Sequence, residues 1–189
     1  MPRMKYFYDT EFHEDGSTID LISIGIVCED GRTYYAVSAD ADYKRVHENS
    51  WLMNNVMNSI DYVIEKANGR PYETIRPVGP HVKRRSKIRD DIIRFVGNDK
   101  PDFWAWYADY DHVALCQLFG KMIDLPHNFP MFTRDLRQHW EYCGSPELPR
   151  QAEGEHNALA DAKHNMLMWN YMEEVCQNGK AYLLGSTNG

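Results

Sequence analysis

The chain has 189 residues, about the size of one domain. It is 43% hydrophobic and 26% charged, enough to bury a core and ordinary for a soluble globular protein. No apolar run approaches the roughly 18–20 residues that cross a bilayer, so a membrane-spanning helix is excluded. The formal net charge of −7 argues at first against a polyanionic partner. Acids that hold divalent cations would reverse that local sign. The opening MPRMKYFYDTEF carries no apolar signal core. Cys28, Cys116, Cys143 and Cys176 are widely spaced, form no CxxC pair, and read as free thiols of a cytosolic protein.

Residues 4–12 read as a first strand, 17–30 as a second and 31–38 as a third, joined by HEDG and by the turn at Asp30-Gly31. Tyr, Val, Ile and Thr suit such a half-buried antiparallel meander. SWLMNNVMNSI, 50–60, has helical spacing, with Ser50 as the expected N-cap. Residues 68–85, rich in proline, read as a long irregular loop. SKIRDDIIRFVG predicts a helix capped by Ser86 and stopped by Gly97, with Ile88, Ile92, Ile93 and Val96 inward. PDFWAWYA, 101–108, is an aromatic strand, and DYDHVALCQLFG turns into a helix ending near Gly120. Helices are also expected over 132–144 and over 156–179, followed by a peripheral tail. The order fits an α/β fold with a mixed central sheet, its first three strands antiparallel, flanked by helices.

Three pieces of this chain carry chemistry. In FYDTEF, Asp9 and Glu11 are two apart on a strand, so both carboxylates face the same side. Asp111 stands where a strand runs into a helix, a usual location for sites in α/β proteins. Asp109 is its rival and reads as the cap or turn residue. His156 and Asp161 flank the start of the last helix, where a histidine in the preceding loop can approach the same centre as the acid. His164 reads as a solvated helical residue. Each piece alone has a plain reading, as an exposed strand face, a helix cap, or a cap with a surface acid. Together, four acids and a histidine are what a two-metal phosphodiester site requires. Two Mg²⁺ or Mn²⁺ ions about 3.5–4 Å apart serve the attacking and leaving oxygens of an in-line displacement. Oxygen ligands suit these ions, and the lack of thiolate clusters argues against zinc. A histidine is the side chain suited to deprotonating the attacking water.

D-x-E in the first strand, then Y-D-x3-L, then H-x4-D in a final helix resembles the DEDDh subgroup of DnaQ-like 3′–5′ exonucleases. That resemblance implies a ribonuclease H-like fold and one exonuclease domain over residues 1–178, with 179–189 as the tail. KYFYDTEFHEDGSTIDLISIGIVCEDGRTYYAVS, WAWYADYDHVALCQLFG and FTRDLRQHWE are similar to segments of the bacterial polyadenylate-specific exoribonuclease family called RNase AS. Proofreading relatives commonly carry D-x-E-T-T-G. This chain has Asp9-Thr10-Glu11-Phe12-His13-Glu14 instead, which favours the exoribonuclease branch. Asn157 stands where the superfamily's tyrosine variant has its tyrosine, which indicates the histidine subgroup. Carried over, the resemblance implies that Asp9 bridges both metals, Glu11 and Asp161 hold one, Asp111 serves the second, and His156 is the general base. The implied products are nucleoside 5′-monophosphates released from an RNA 3′ end, with a possible preference for adenylates and a homodimeric assembly.

For the strand itself, KRRSKIR at 83–89 holds five basic residues in seven. Such a run is either a solvated helix face or a contact for substrate phosphates, with Lys83, Arg84 and Arg85 as candidates and Arg70 and Arg76 extending the track. Phe12 is the candidate for stacking on the terminal base, against core packing as its alternative. Thr10 is a candidate for holding the terminal nucleotide through its backbone or hydroxyl. Trp104, Trp106 and Trp140 are expected in the core. Two rivals remain open, an exodeoxyribonuclease of repair or proofreading type and a catalytically silent nucleic-acid-binding module.

Overall fold

The computed structural model describes residues 3–66 and 73–185. Strands β1 (Arg3–Glu14), β2 (Ile19–Cys28) and β3 (Thr33–Ser38) form the expected antiparallel meander, with Gly16 and Gly31 at positive φ in its two turns. A short helix not anticipated from sequence follows, α1 (Tyr43–Glu48), its first turn capped by Asp42. In α2 (Ser50–Asn55) the cap is Asn49 rather than Ser50, because the Asn49 side chain accepts from the N–H groups of Trp51 and Leu52.

The stretch expected to be an irregular loop is in part a hairpin. Strands β4 (Tyr62–Lys66) and β5 (Glu73–Pro77) pair antiparallel as a separate two-stranded sheet, and β6 (Val82–Lys83) joins β3 in parallel. Prolines masked the alternation of Thr74, Ile75 and Arg76, of which Ile75 is buried in a cluster with Val46, Leu52 and Met57. Arg70 lies outside the described residues. Helix α3 (Arg85–Val96) begins one residue ahead of the expected cap, with Arg84 at the N-cap, and ends at Gly97. Ile88, Ile92 and Val96 face the core, whereas Ile93 is 41% exposed.

Then come β7 (Lys100–Ala105), α4 (Ala108–Gln117), β8 (Arg134–Asp135), α5 (Leu136–Tyr142) and α6 (Ala158–Gly185). The final helix therefore runs past Gly179. The main sheet is ordered β6-β3-β2-β1-β7-β8, with β7 parallel to β1 and β8 parallel to β7. Alternation along β1 divides the two sides of this mixed sheet. Tyr6 and Tyr8 pack with Ile24 and Ile26 against Ile88 and Ile92 of α3 and Ala114 and Leu115 of α4. Phe7 lies on the other side, its ring 5.9 Å from that of Trp169 in α6. Each large side chain so buried contributes roughly 1.5–3 kcal/mol.

The expectation of four free thiols needs correction. Cys143, at the end of α5, is bonded to Cys176 in α6 with their Cα atoms 5.3 Å apart, because the two helices pack side by side. Cys28 and Cys116 are free and buried. Among the described residues, no helix is long and apolar enough to cross a membrane.

Candidate active site

Strand β1 sits at the centre of the sheet, and its parallel pairing with β7 ends at Phe7 and Trp104. Beyond that point β1 has backbone groups with no strand partner on the β7 side, and these must be satisfied otherwise. Asn165 of α6 donates its amide to the Tyr8 carbonyl at 3.1 Å. The Thr10 N–H and hydroxyl both donate to Oδ1 of Asp111, at 2.8 and 2.6 Å. Asp9 lies between these two attachments, where the sheet opens.

A glycine sets the other wall. Asp9 pairs across the sheet with Gly25 of β2. A Cβ on Gly25 would lie 2.3 Å from the backbone of Ala158 and Leu159, so the first turn of α6 rests directly on the strand. That contact brings Asp161 over Asp9 and Glu11. Asn157 caps the helix by accepting from the Ala160 N–H at 3.1 Å, and His156 precedes it in left-handed backbone (φ 63). Helix α4 likewise starts from a left-handed residue, Tyr107 (φ 54), with the Ala108 N–H held by Asp135 at 2.7 Å. Both helices that deliver acids to this centre thus start from backbone conformations that non-glycine residues rarely adopt.

Asp9, Glu11 and Asp161 each offer an oxygen, all within 4.8 Å of one another. Asp111 is buried beside them, clamped by Thr10 and only 5% exposed, while Asp109 is exposed. Burial raises the whole set, and repulsion from the neighbouring acids adds to it at Asp9 and Glu11. Glu11 is pushed up to about 8, first by burial and then by Asp161 and Asp111. Asp9 rises well above the ordinary carboxylate range for the same reasons, with Asp111 its foremost charged neighbour. Burial lifts Asp111 to about 7 against the opposing hydrogen bonds from Thr10. Asp161 is raised by burial and held back chiefly by Gln151, whose amide donates to it at 2.6 Å. Carboxylates gathered this closely, with no cation paired to them among the described residues, are the hard-oxygen donor set that divalent Mg²⁺ or Mn²⁺ takes.

A cavity of about 430 Å³ opens over these acids, with Phe12, Trp51, Leu52 and His156 on its walls. The β1–β2 register slips between Glu11 and Phe12, a bulge of the kind that re-aims side chains beside sites. Phe12 therefore rims the cavity, its ring parallel to Tyr110 at 5.8 Å between centroids. Trp51 stands edge-on to His156 at 5.0 Å, and the Ser59 hydroxyl donates to the His156 carbonyl at 3.3 Å. A second cavity of about 420 Å³ lies across Asp9 and Asp161, bordered by Trp106, Arg150 and His164. His164 is half-buried there rather than fully solvated. Trp106 packs on the α5–α6 cluster yet also borders this space.

The substrate candidates fare less evenly. Thr10 lines the first cavity, with its N–H and its hydroxyl both donating to Asp111. Lys83 is paired with Asp91 at 2.9 Å and Arg85 with Asp20. Lys87 is paired with Asp91 and Arg89 with Asp90. The basic run leads into α3, which packs with Tyr6 and Tyr8 on the side of the sheet opposite the α6 contact, and neither acid-lined cavity includes Lys83, Arg84 or Arg85. Arg76 is paired with Glu65 at 2.6 Å. Charge density along the sequence did not reveal that these cations neutralise their own fold.

A family model for the Rv2179c-like 3′–5′ exoribonuclease domain matches residues 4–173. The 3′–5′ exoribonuclease Rv2179c of Mycobacterium tuberculosis (strain ATCC 25618 / H37Rv) is 45% identical over 166 residues, which cover 86% of this chain and 89% of that protein. The 3′–5′ exoribonuclease MT2234.1 of strain CDC 1551 / Oshkosh matches with the same figures. The chain belongs to the Rv2179c-like 3′–5′ exoribonuclease domain family and is a nuclease.

Proposed function

We propose that this nuclease hydrolyses phosphodiester bonds from the 3′ end of single-stranded or tailed RNA, releasing nucleoside 5′-monophosphates. The observation that carries the reading is the convergence of Asp9, Glu11 and Asp161 under one cavity with His156 on its wall, in a chain of an exoribonuclease family. The order of these motifs favours the DEDDh subgroup and a ribonuclease H-like fold. Asp9, Glu11, Asp111 and Asp161 would hold two Mg²⁺ or Mn²⁺ ions. Such ions, when bound, supply charge stabilisation for both oxygens of an in-line displacement.

The remaining work belongs to the chain's own side chains. His156 accepts the proton of the attacking water through a ring nitrogen, its backbone tied to Ser59 and its ring braced by Trp51. Thr10 and Gln151 fix the orientations of Asp111 and Asp161. Phe12 and Trp51 offer aromatic faces to the terminal base, a stacking that every base can use, and the sequence resemblance extends the proposal to a preference for adenylates. The sequence resemblance extends the proposal to a homodimer, for which sedimentation velocity is the direct check.

The test is a 3′-end-labelled RNA with Mg²⁺ or Mn²⁺. The label leaves in the first turnover as a nucleoside 5′-monophosphate, an adenylate tail is shortened fastest, and matched DNA reacts more slowly. Release of internal fragments or of 3′-phosphates contradicts the reaction. Full activity in Asp161→Asn or His156→Ala contradicts the assignment of the site.

A further inference from the structure

The two cavities beside the acids have in common only Asp9 and Asp161, so these carboxylates form the wall between them. A strand whose reacting phosphate lies at that wall has one nucleotide on each side. The first cavity sets the rings of Phe12 and Trp51 beside Leu52 and suits the terminal nucleoside. The second differs in chemistry, since it presents Arg150 and His164 beside the flat ring of Trp106.

Arg150 is the unusual member of that set. Lys83, Arg85 and Arg76 are closed onto acids, whereas Arg150 makes no ion pair among the described residues although Asp9, Asp161 and Glu155 line the same space. An exposed guanidinium, free at the mouth of a cavity about the size that takes a small ligand, is the group that recognises a phosphodiester by paired hydrogen bonds. Resting on the exoribonuclease reading above, we infer that the second cavity seats the nucleotide on the 5′ side of the cleaved bond. Arg150 grips that nucleotide's own 5′-phosphate, one phosphate upstream of the reacting one. Trp106 offers the ring on which its base lies, and Glu155 stands at the exposed rim.

The experiment compares two dinucleotides, with and without a 5′-phosphate, on the full chain and on Arg150→Ala and Arg150→Lys. In the unmodified protein kcat/KM is higher for the phosphorylated dinucleotide. In Arg150→Ala that ratio falls about tenfold through KM, and Arg150→Lys retains part of it. The slope of log affinity for a longer RNA against log salt also becomes shallower by about 0.7, the loss of one single-strand phosphate contact. An unchanged ratio overturns the inference, as does an equal fall on both dinucleotides, which would place Arg150 on the reacting phosphate itself. Uridine 5′-monophosphate p-nitrophenyl ester, which has no nucleotide upstream, separates the two levels. If the unmodified protein cleaves neither this ester nor RNA, the exoribonuclease reading fails. The binding ratio of the two dinucleotides in Ca²⁺, and its loss in Arg150→Ala, then decides the role of Arg150 on its own.

Discussion

Asp9 and Glu11 share one side of a central strand, and the two acids that approach them add negative charge. Asp161 is within 4.8 Å and Asp111 is buried alongside. Glu11→Gln puts a permanently neutral amide where the folded protein must either hold a proton or add a charge to this set. It is expected to lower kcat on the order of a hundred- to a thousand-fold while raising the melting temperature of the metal-free protein, since repulsion is relieved. A variant that is both inactive and less stable without metal would mean that Glu11 is a structural group. Gln151 acts one step away, through its 2.6 Å bond to Asp161. Gln151→Ala should weaken Mn²⁺ binding about 10-fold by calorimetric titration, the lower end for groups that orient metal ligands.

At the scale of elements, the site depends on the first turn of α6 lying on β2 at Gly25. Gly25→Ala sets a Cβ against backbone that has no flexible end to move. The expected cost is about 3 kcal/mol, a fall in Tm of roughly 6–12 °C by calorimetry, with loss of activity as Asp161 lifts away from Asp9. Much of the element order was legible because its signals are local: alternation in the meander, the 3.6 period of the helices, a glycine at Gly97. The acids and His156 were legible because a strand pair, a helix start and a helix-flanking pair are short patterns. The Thr10–Asp111 clamp spans 101 residues and the Gln151–Asp161 bond joins a loop to a helix, and no local spacing encodes either. The Cys143–Cys176 bond eluded a reading based on Cys spacing, because only the packing of α5 on α6 brings the two together. The lone glycine in SIGIV was the one available hint of close backbone approach.

For the whole molecule, a net charge of −7 on a nuclease is reconciled by where the charges go. Much of the basic run is neutralised within the fold, while Asp9, Glu11, Asp111 and Asp161, which make no ion pair among the described residues, are gathered at one centre. That arrangement links stability to pH with a definite sign. The folded carboxyls of Glu11 and Asp111 hold their protons to about 8 and about 7, whereas in the unfolded chain they release them near 4.5 and 3.8. The unfolded state therefore binds fewer protons over that interval. Metal-free protein should lose stability steadily as pH rises from about 4 to 8, and Mn²⁺ should restore it with release of protons. Melting curves in chelator and in Mn²⁺ across this range check it, and a metal-free Tm that rises toward pH 8 would contradict it. The most direct measurement of the proposed two-metal site is anomalous diffraction from a crystal soaked with Mn²⁺ and a nucleoside 5′-monophosphate. Manganese peaks are expected among Asp9, Glu11 and Asp161, with a second toward Asp111 and the base against Phe12 and Trp51. A nucleotide bound in the cavity with no manganese at those carboxylates would contradict it.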